Sequence, residues 1–160
     1  MLKPHLFSLA ILAVAFTGCA SVPAPVSVAD TISQNPSLST LSSLIAQAGL
    51  SSTLQSAGSF TVFAPSNDAF NHLSTKTLED LSKHPDKLKN VLSFHIISGK
   101  VAASEVKNSS IKTLNDSNVA LSKAGDFVTI ENAVVQTSDI QASNGVIHII
   151  DSVLTPPHKK

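Results

Sequence analysis

The chain has 160 residues, with eleven basic side chains balanced by eleven acids, so its formal net charge is zero. Every basic residue is lysine, and no basic run exists apart from the Lys159-Lys160 tail, which removes the arginine forks and charged patches that read phosphates and guanine edges; nucleic acid is not an expected partner. Tryptophan and tyrosine are absent, so any sugar-stacking platform would rest on phenylalanine, and the single cysteine forms no internal disulfide.

The first stretch, "MLKPHLFSLAILAVAFTGC", has the three-part layout of a secretory signal. Lys3 gives a basic start, and Leu6 to Phe16 is apolar except for Ser8. That run is too short for a permanent membrane span. Phe16-Thr17-Gly18-Cys19 resembles a bacterial lipobox, in which cleavage after the glycine leaves a diacylglycerol-bearing cysteine as the mature N-terminus; Phe16 stands where Leu, Val or Ile is usual. Residues 1–18 are therefore expected to be a signal peptide and Cys19, the one cysteine and at the expected place, the lipidated residue; two or more hydrocarbon chains would then hold the protein stably at a bilayer. Ala20, rather than Asp, follows Cys19, which points to the outer membrane, facing the periplasm or the cell surface. Ala20 to Val28, "ASVPAPVSV", is small, polar and proline-bearing, so residues 19–28 read as lipidated cysteine plus tether. Residues 29–157 then form one domain, large enough for its own core, and 158–160 a basic tail.

Within the domain, Asn35 caps a helix with Pro36 in its first turn, Leu38, Leu41, Leu44, Ile45 and Ala48 recur at helical spacing, and Gly49 stops it. A short helical piece over 52–57 follows. Phe60 to Ala64 reads as a strand ended by Pro65. Ser66 caps the next helix, with Asp68 at its positive end. Another helix is expected from Thr77, with Asp80 three residues on in a capping-box arrangement. Pro85 opens a helix whose apolar stripe is Leu88, Val91, Leu92 and His95. After Gly99 come short extended runs at 111–114, 119–121, 127–130 and 133–135. Asn144-Gly145 is a hairpin-type turn signal, predicted to need a left-handed glycine, before a last strand over 146–151. That strand is apolar on both faces and hence internal. Helices early and strands late give an α+β fold, a largely antiparallel sheet with helices packed on it.

Three stretches together resemble the fasciclin-like (fasciclin I, beta-ig-h3) domain family. These are "FTVFAPSNDAF" (60–70), "LSFHIISGK" (92–100) and "SNGVIHIIDSVLTPP" (143–157), in the family's order and spacing. The central block has Phe94-His95 where Tyr-His is usual. The resemblance implies a compact β-sandwich or wedge with several flanking helices packed on it. It also implies adhesion or protein contact at cell surfaces, usually without enzymatic activity. Its motif positions fall on Ser66, His95, Asn144, Gly145, His148 and Asp151. In some animal members an Asp-Ile pair just before the last block is proposed to contact integrins, and Asp139-Ile140 stands there.

Two chemical readings compete with this. His148 and Asp151 are two-thirds of a hydrolase triad, but strand alternation sends them to opposite faces and no Gly-x-Ser-x-Gly elbow is present. His84 and His95 return to one helix face about 16 Å apart, too far to share a metal. No cofactor or metal is expected, and both His95 and His148 read as packed rings with backbone partners. The expectation is a non-enzymatic, lipid-anchored surface or periplasmic module binding a protein or other macromolecular ligand. The alternative is a periplasmic hydrolase or small-ligand-binding protein with a pocket beside His95 or His148.

Overall fold

The computed structural model describes residues 26–157; the expected signal peptide, Cys19 and the 158–160 tail lie outside the described residues. The helices come first. Ser27 caps α1 (Val28–Gln34), its hydroxyl accepting the Asp30 amide. Asn35 accepts the Ser37 amide and starts a 3-10 turn at Pro36, which runs into α2 (Ser39–Gln47). Gly49, at φ 69°, lets the Leu50 amide reach back to the Ile45 carbonyl at 3.1 Å, the six-to-one closure that ends helices. α3 (Ser51–Gln55), β1 (Phe60–Pro65) and α4 (Asn67–Asn71) follow, and the Ser66 hydroxyl caps α4 by accepting the Ala69 amide at 3.2 Å. α5 (Thr75–Lys83) begins two residues before the expected Thr77, because Ser74 takes the capping role and accepts the Thr77 amide. Asp80 instead pairs with Lys87 and His84 across exposed surface. Pro85 opens α6 (Pro85–Phe94) as expected.

The strands are β2 (Ile96–Ser98), β3 (Ser109–Lys112), β4 (Asn118–Ala124), β5 (Phe127–Ile130), β6 (Ala133–Ala142) and β7 (Gly145–Ile150). They form one seven-stranded sheet in the order β2-β1-β7-β6-β5-β4-β3. All neighbours are antiparallel except β1 and β7, which pair in parallel from Phe60↔Gly145 to Pro65↔Ile150. The two edge strands approach each other through the Ile97↔Thr113 bridge and the bond from the Leu114 amide to the Ile96 carbonyl at 2.9 Å. The sheet thus curls almost into a barrel. β6 makes the curl: its start pairs with β5, its remainder with β7, and its ladder with β7 slips between Val135 and Thr137 and between Thr137 and Ile140, as bulged strands do when they turn a sheet.

This topology creates two cores. The helices pack Ile32, Leu41, Leu54, Leu88 and Leu92 against the outer face of β1 and β7, represented by Val62, Ala64, Ile147 and Ile149. Inside the curl lie Phe63, Phe94, Leu121, Ile130 and Ile150. Strand alternation sends successive residues of β1 and β7 to different cores, so all six residues of β7 are buried. The α+β architecture with an internal last strand is therefore present as expected.

Three expectations are corrected. First, residues 26–28, expected as the end of a tether, belong to the fold: Val28 is fully buried, and the Val26 carbonyl accepts the Ser143 amide at 2.8 Å. Second, β2 and most of β6 lie outside the expected extended runs. Third, the reason for Gly145 differs. The turn residues are Ser143 and Asn144, Gly145 already pairs with Ala142, and its φ is not positive. Glycine is required by proximity, since a Cβ there would sit 2.2 Å from the Phe60 carbonyl oxygen and 2.8 Å from Val28 Cγ2. Gly145→Ala is expected to lower stability by about 2 kcal/mol or more by prying β7 from β1, read as a drop in the urea midpoint; an unchanged midpoint would refute the steric account.

Candidate functional site

The residues with chemical potential in this sequence are its two core histidines. His95 follows α6 directly and is its C-cap. Its ring is 1% exposed. Nδ1 lies 2.8 Å from the Val91 carbonyl, one turn back in the same helix, and Nε2 accepts the Leu154 amide at 2.9 Å. A carbonyl only accepts and an amide N–H only donates, so the proton sits on Nδ1 and the ring is neutral. His148, on β7, is also 1% exposed and stacks on Phe63 with ring centroids 5.3 Å apart. Here the arrangement is reversed. Nε2 donates to the Val101 carbonyl at 2.8 Å, and Nδ1 accepts the Asp139 amide at 3.2 Å. His148 therefore carries the opposite tautomer, also neutral.

Both rings are thus enclosed with both nitrogens engaged. Burial pushes His95 down to about 4, against the opposing effect of its bond to Val91. Burial also lowers His148, opposed by the bond to the Val101 carbonyl and the charge of Asp139.

The other predicted positions are engaged by backbone as well. Asp151 Oδ1 accepts the Val134 amide at 2.9 Å, away from His148. Asp139 sits in the β6 irregularity at φ 59°, and its Oδ1 accepts the Ala103 amide at 2.9 Å. Ile140 packs on the helix-side core. Asn144 is a junction: Oδ1 accepts the Val28 amide at 2.8 Å, Nδ2 donates to the Leu54 and Ser56 carbonyls at 2.7 and 2.9 Å, and its own carbonyl accepts the Phe60 amide. Sequence reasoning missed two comparable residues. The Thr61 hydroxyl bridges the Gly99 carbonyl and the Val101 amide. Asn67 ties the Pro36 carbonyl to the Thr40 amide. A threonine inside the apolar run "FTVFAP" and an Asn after a capping Ser were the available signals.

Open depressions mark the surface of the described residues. One of about 270 Å³ lies between Glu131-Asn132 and Ser152–Thr155. One of about 380 Å³ lies beside Pro36, Asn67 and Gln136. One of about 420 Å³ lies between Leu81, Val91 and Thr155–Pro157. Neither imidazole lines any of them.

Residues 36–156 match the Fasciclin domain family. The chain belongs to the fasciclin domain family. The domain is 35% identical over 140 residues to protein sll1483 of Synechocystis, covering 86% of this chain and 78% of that protein. It is 33% identical over 135 residues to the cell surface glycolipoprotein MPB83 of Mycobacterium bovis, covering 81% of this chain and 60% of that one. Among solved structures, the FAS1 domain pair of the insect cell adhesion molecule fasciclin I superposes with a TM-score of 0.67 at 19% identity, over 81% of this chain and 51% of the other, a likeness of fold. The near-closed sheet with its flanking helices is the wedge-like fasciclin architecture.

The engaged imidazoles are expected to make the fasciclin domain pH-sensitive in one direction. Above pH 6.5, the unfolded value, both states are neutral and the stability is fully present. As pH falls from 6.5 toward 4, the unfolded chain takes up a proton that folded His95 refuses, and about 3 kcal/mol is lost from this residue. His148 contributes in the same direction. Urea midpoints are expected to fall across this window, and less steeply in His95→Gln; equal slopes in the two proteins would refute the assignment.

Proposed function

We propose that this chain is a lipid-anchored, non-enzymatic adhesion or protein-interaction module of a bacterial envelope, exported and held at the outer membrane through Cys19. The observation that carries the non-enzymatic part is the complete engagement of His95 and His148 by backbone groups. A general base needs a nitrogen within reach of a substrate proton, and these four nitrogens are occupied inside the fold. The adhesion part is supported by fold likeness to an insect cell adhesion molecule. The surface part is supported by similarity to a cell surface glycolipoprotein together with the lipobox-like Phe16-Thr17-Gly18-Cys19. A hydrolase or small-ligand pocket beside either imidazole is not favoured by this geometry.

Cys19→Ser is expected to move the protein from the membrane fraction to a soluble or signal-retaining form, and unchanged fractionation would refute lipidation. Crosslinking in the native envelope followed by affinity capture is expected to return a macromolecular partner. Robust hydrolysis by the purified domain, with no partner captured, would overturn the reading.

A further inference from the structure

We propose that the end of the domain built from the Ser143-Asn144 turn, the 56–59 loop and the start of α1 lies against the phospholipid headgroups, and that the opposite end points away from the membrane. The proposal rests on the lipid anchor at Cys19. Its ground is the length of chain outside the fold and the point where that chain joins it.

The join is fixed. The Val26 carbonyl accepts the Ser143 amide, and the Val28 amide donates to Asn144 Oδ1 while the Val28 side chain is fully buried. Asn144 in turn holds the Leu54 and Ser56 carbonyls, and the Ser59 carbonyl accepts the Gly99 amide. From Cys19 to Val26 the chain reaches at most about 25 Å even when fully extended. A domain of this size is roughly 35 Å across. A connection shorter than the body it holds does not let the far end swing down to the bilayer.

The chemistry of the near end fits that location. Residues 56–59, Ser-Ala-Gly-Ser, are exposed and uncharged. At the margin, Lys100 is exposed, while the Asp30 carboxylate is held by the Ser27 hydroxyl at 2.6 Å and faces Gln55. This small, nearly neutral surface meets anionic headgroups without a block of like charge. From the join, β1 and β7 run parallel to Pro65 and Ile150, roughly 17 Å further on. The depressions beside Asn67 and beside Ser152–Thr155 open at that outer end.

The test uses the full lipidated chain in vesicles of phosphatidylethanolamine and phosphatidylglycerol carrying a headgroup quencher. Cys19 is the one natural cysteine and its thiol is blocked by lipid, so an introduced cysteine takes a fluorophore alone. Ala57→Cys marks the near end and Asn132→Cys the outer end; both positions are exposed. Headgroup quenching is expected to be several-fold stronger at position 57. Equal or reversed quenching in membrane-bound protein would overturn the orientation and leave the anchor standing. Failure of the wild-type chain to associate with the vesicles would overturn the anchor and the orientation with it.

Discussion

The parallel pairing of β1 with β7 is the constraint on which the remaining structure depends. It joins Phe60–Pro65 to Gly145–Ile150, so nearly everything between them in sequence must be accommodated as one long excursion. A parallel pair needs a crossover, and this one contains three helices and five strands. Both faces of the pair are covered, the helices on one side and the curled sheet on the other. The pair is fastened at both ends: the Phe60 amide meets the Asn144 carbonyl, and the Ser66 amide meets the Ile150 carbonyl. Gly145 permits the contact at its start, where the Phe60 carbonyl occupies the space of a side chain. Because these contacts are distant in sequence, loop closure must precede them, which places the fold among slowly assembling topologies.

The two histidines follow from the same geometry. Near the ends of secondary structure, buried amides and carbonyls lack ladder partners, and leaving one unsatisfied is costly. Leu154 and Asp139 each present such an amide, and Val91 and Val101 such a carbonyl. A neutral imidazole is a short rigid connector with one donor and one acceptor, so each ring bridges one of each. An aliphatic residue of similar volume would fill the space and leave both groups unmet. His148 ties β7 to the β6 irregularity and to the segment after β2. His95 ties α6 to the C-terminal segment. Their opposite tautomers are dictated by the partner facing each nitrogen.

Local features of the fold were legible in the sequence where local chemistry decides them. Asn35-Pro36, Gly49, Ser66 and Pro85 act within a turn or two of their own position, and each does what its residue type implies. The doubly apolar last strand was also readable, because burial on both faces leaves a direct compositional trace. Other features depend on distant partners. Ser27-x-x-Asp30 is a helix-start signal, but the proline-bearing run before it reads as tether until Val28 is seen buried against Gly145. β2 hides in an apolar stretch continuous with α6. The irregularity in β6 appears only when Asp139 is set beside His148 and Ala103. The family blocks drew attention to Asn144, Gly145, His95 and His148, while the partners that engage each of them lie across the fold.

The same satisfaction of polar groups bears on recognition. Asp139, Asp151, Asn144, His95 and His148 all spend hydrogen-bonding capacity on the backbone, so the motif positions that look most chemical hold the domain together. Recognition then falls to exposed groups. Among the described residues, Phe127 is 71% exposed at the β4–β5 hairpin, and the depressions are open and lined by loop, helix and strand residues. Stable protein contacts bury about 800 Å² on each partner, an extent that suits several such features used together. A well-packed scaffold of this kind suits a broad contact surface, since loops carried by a packed core can bind without the core itself changing.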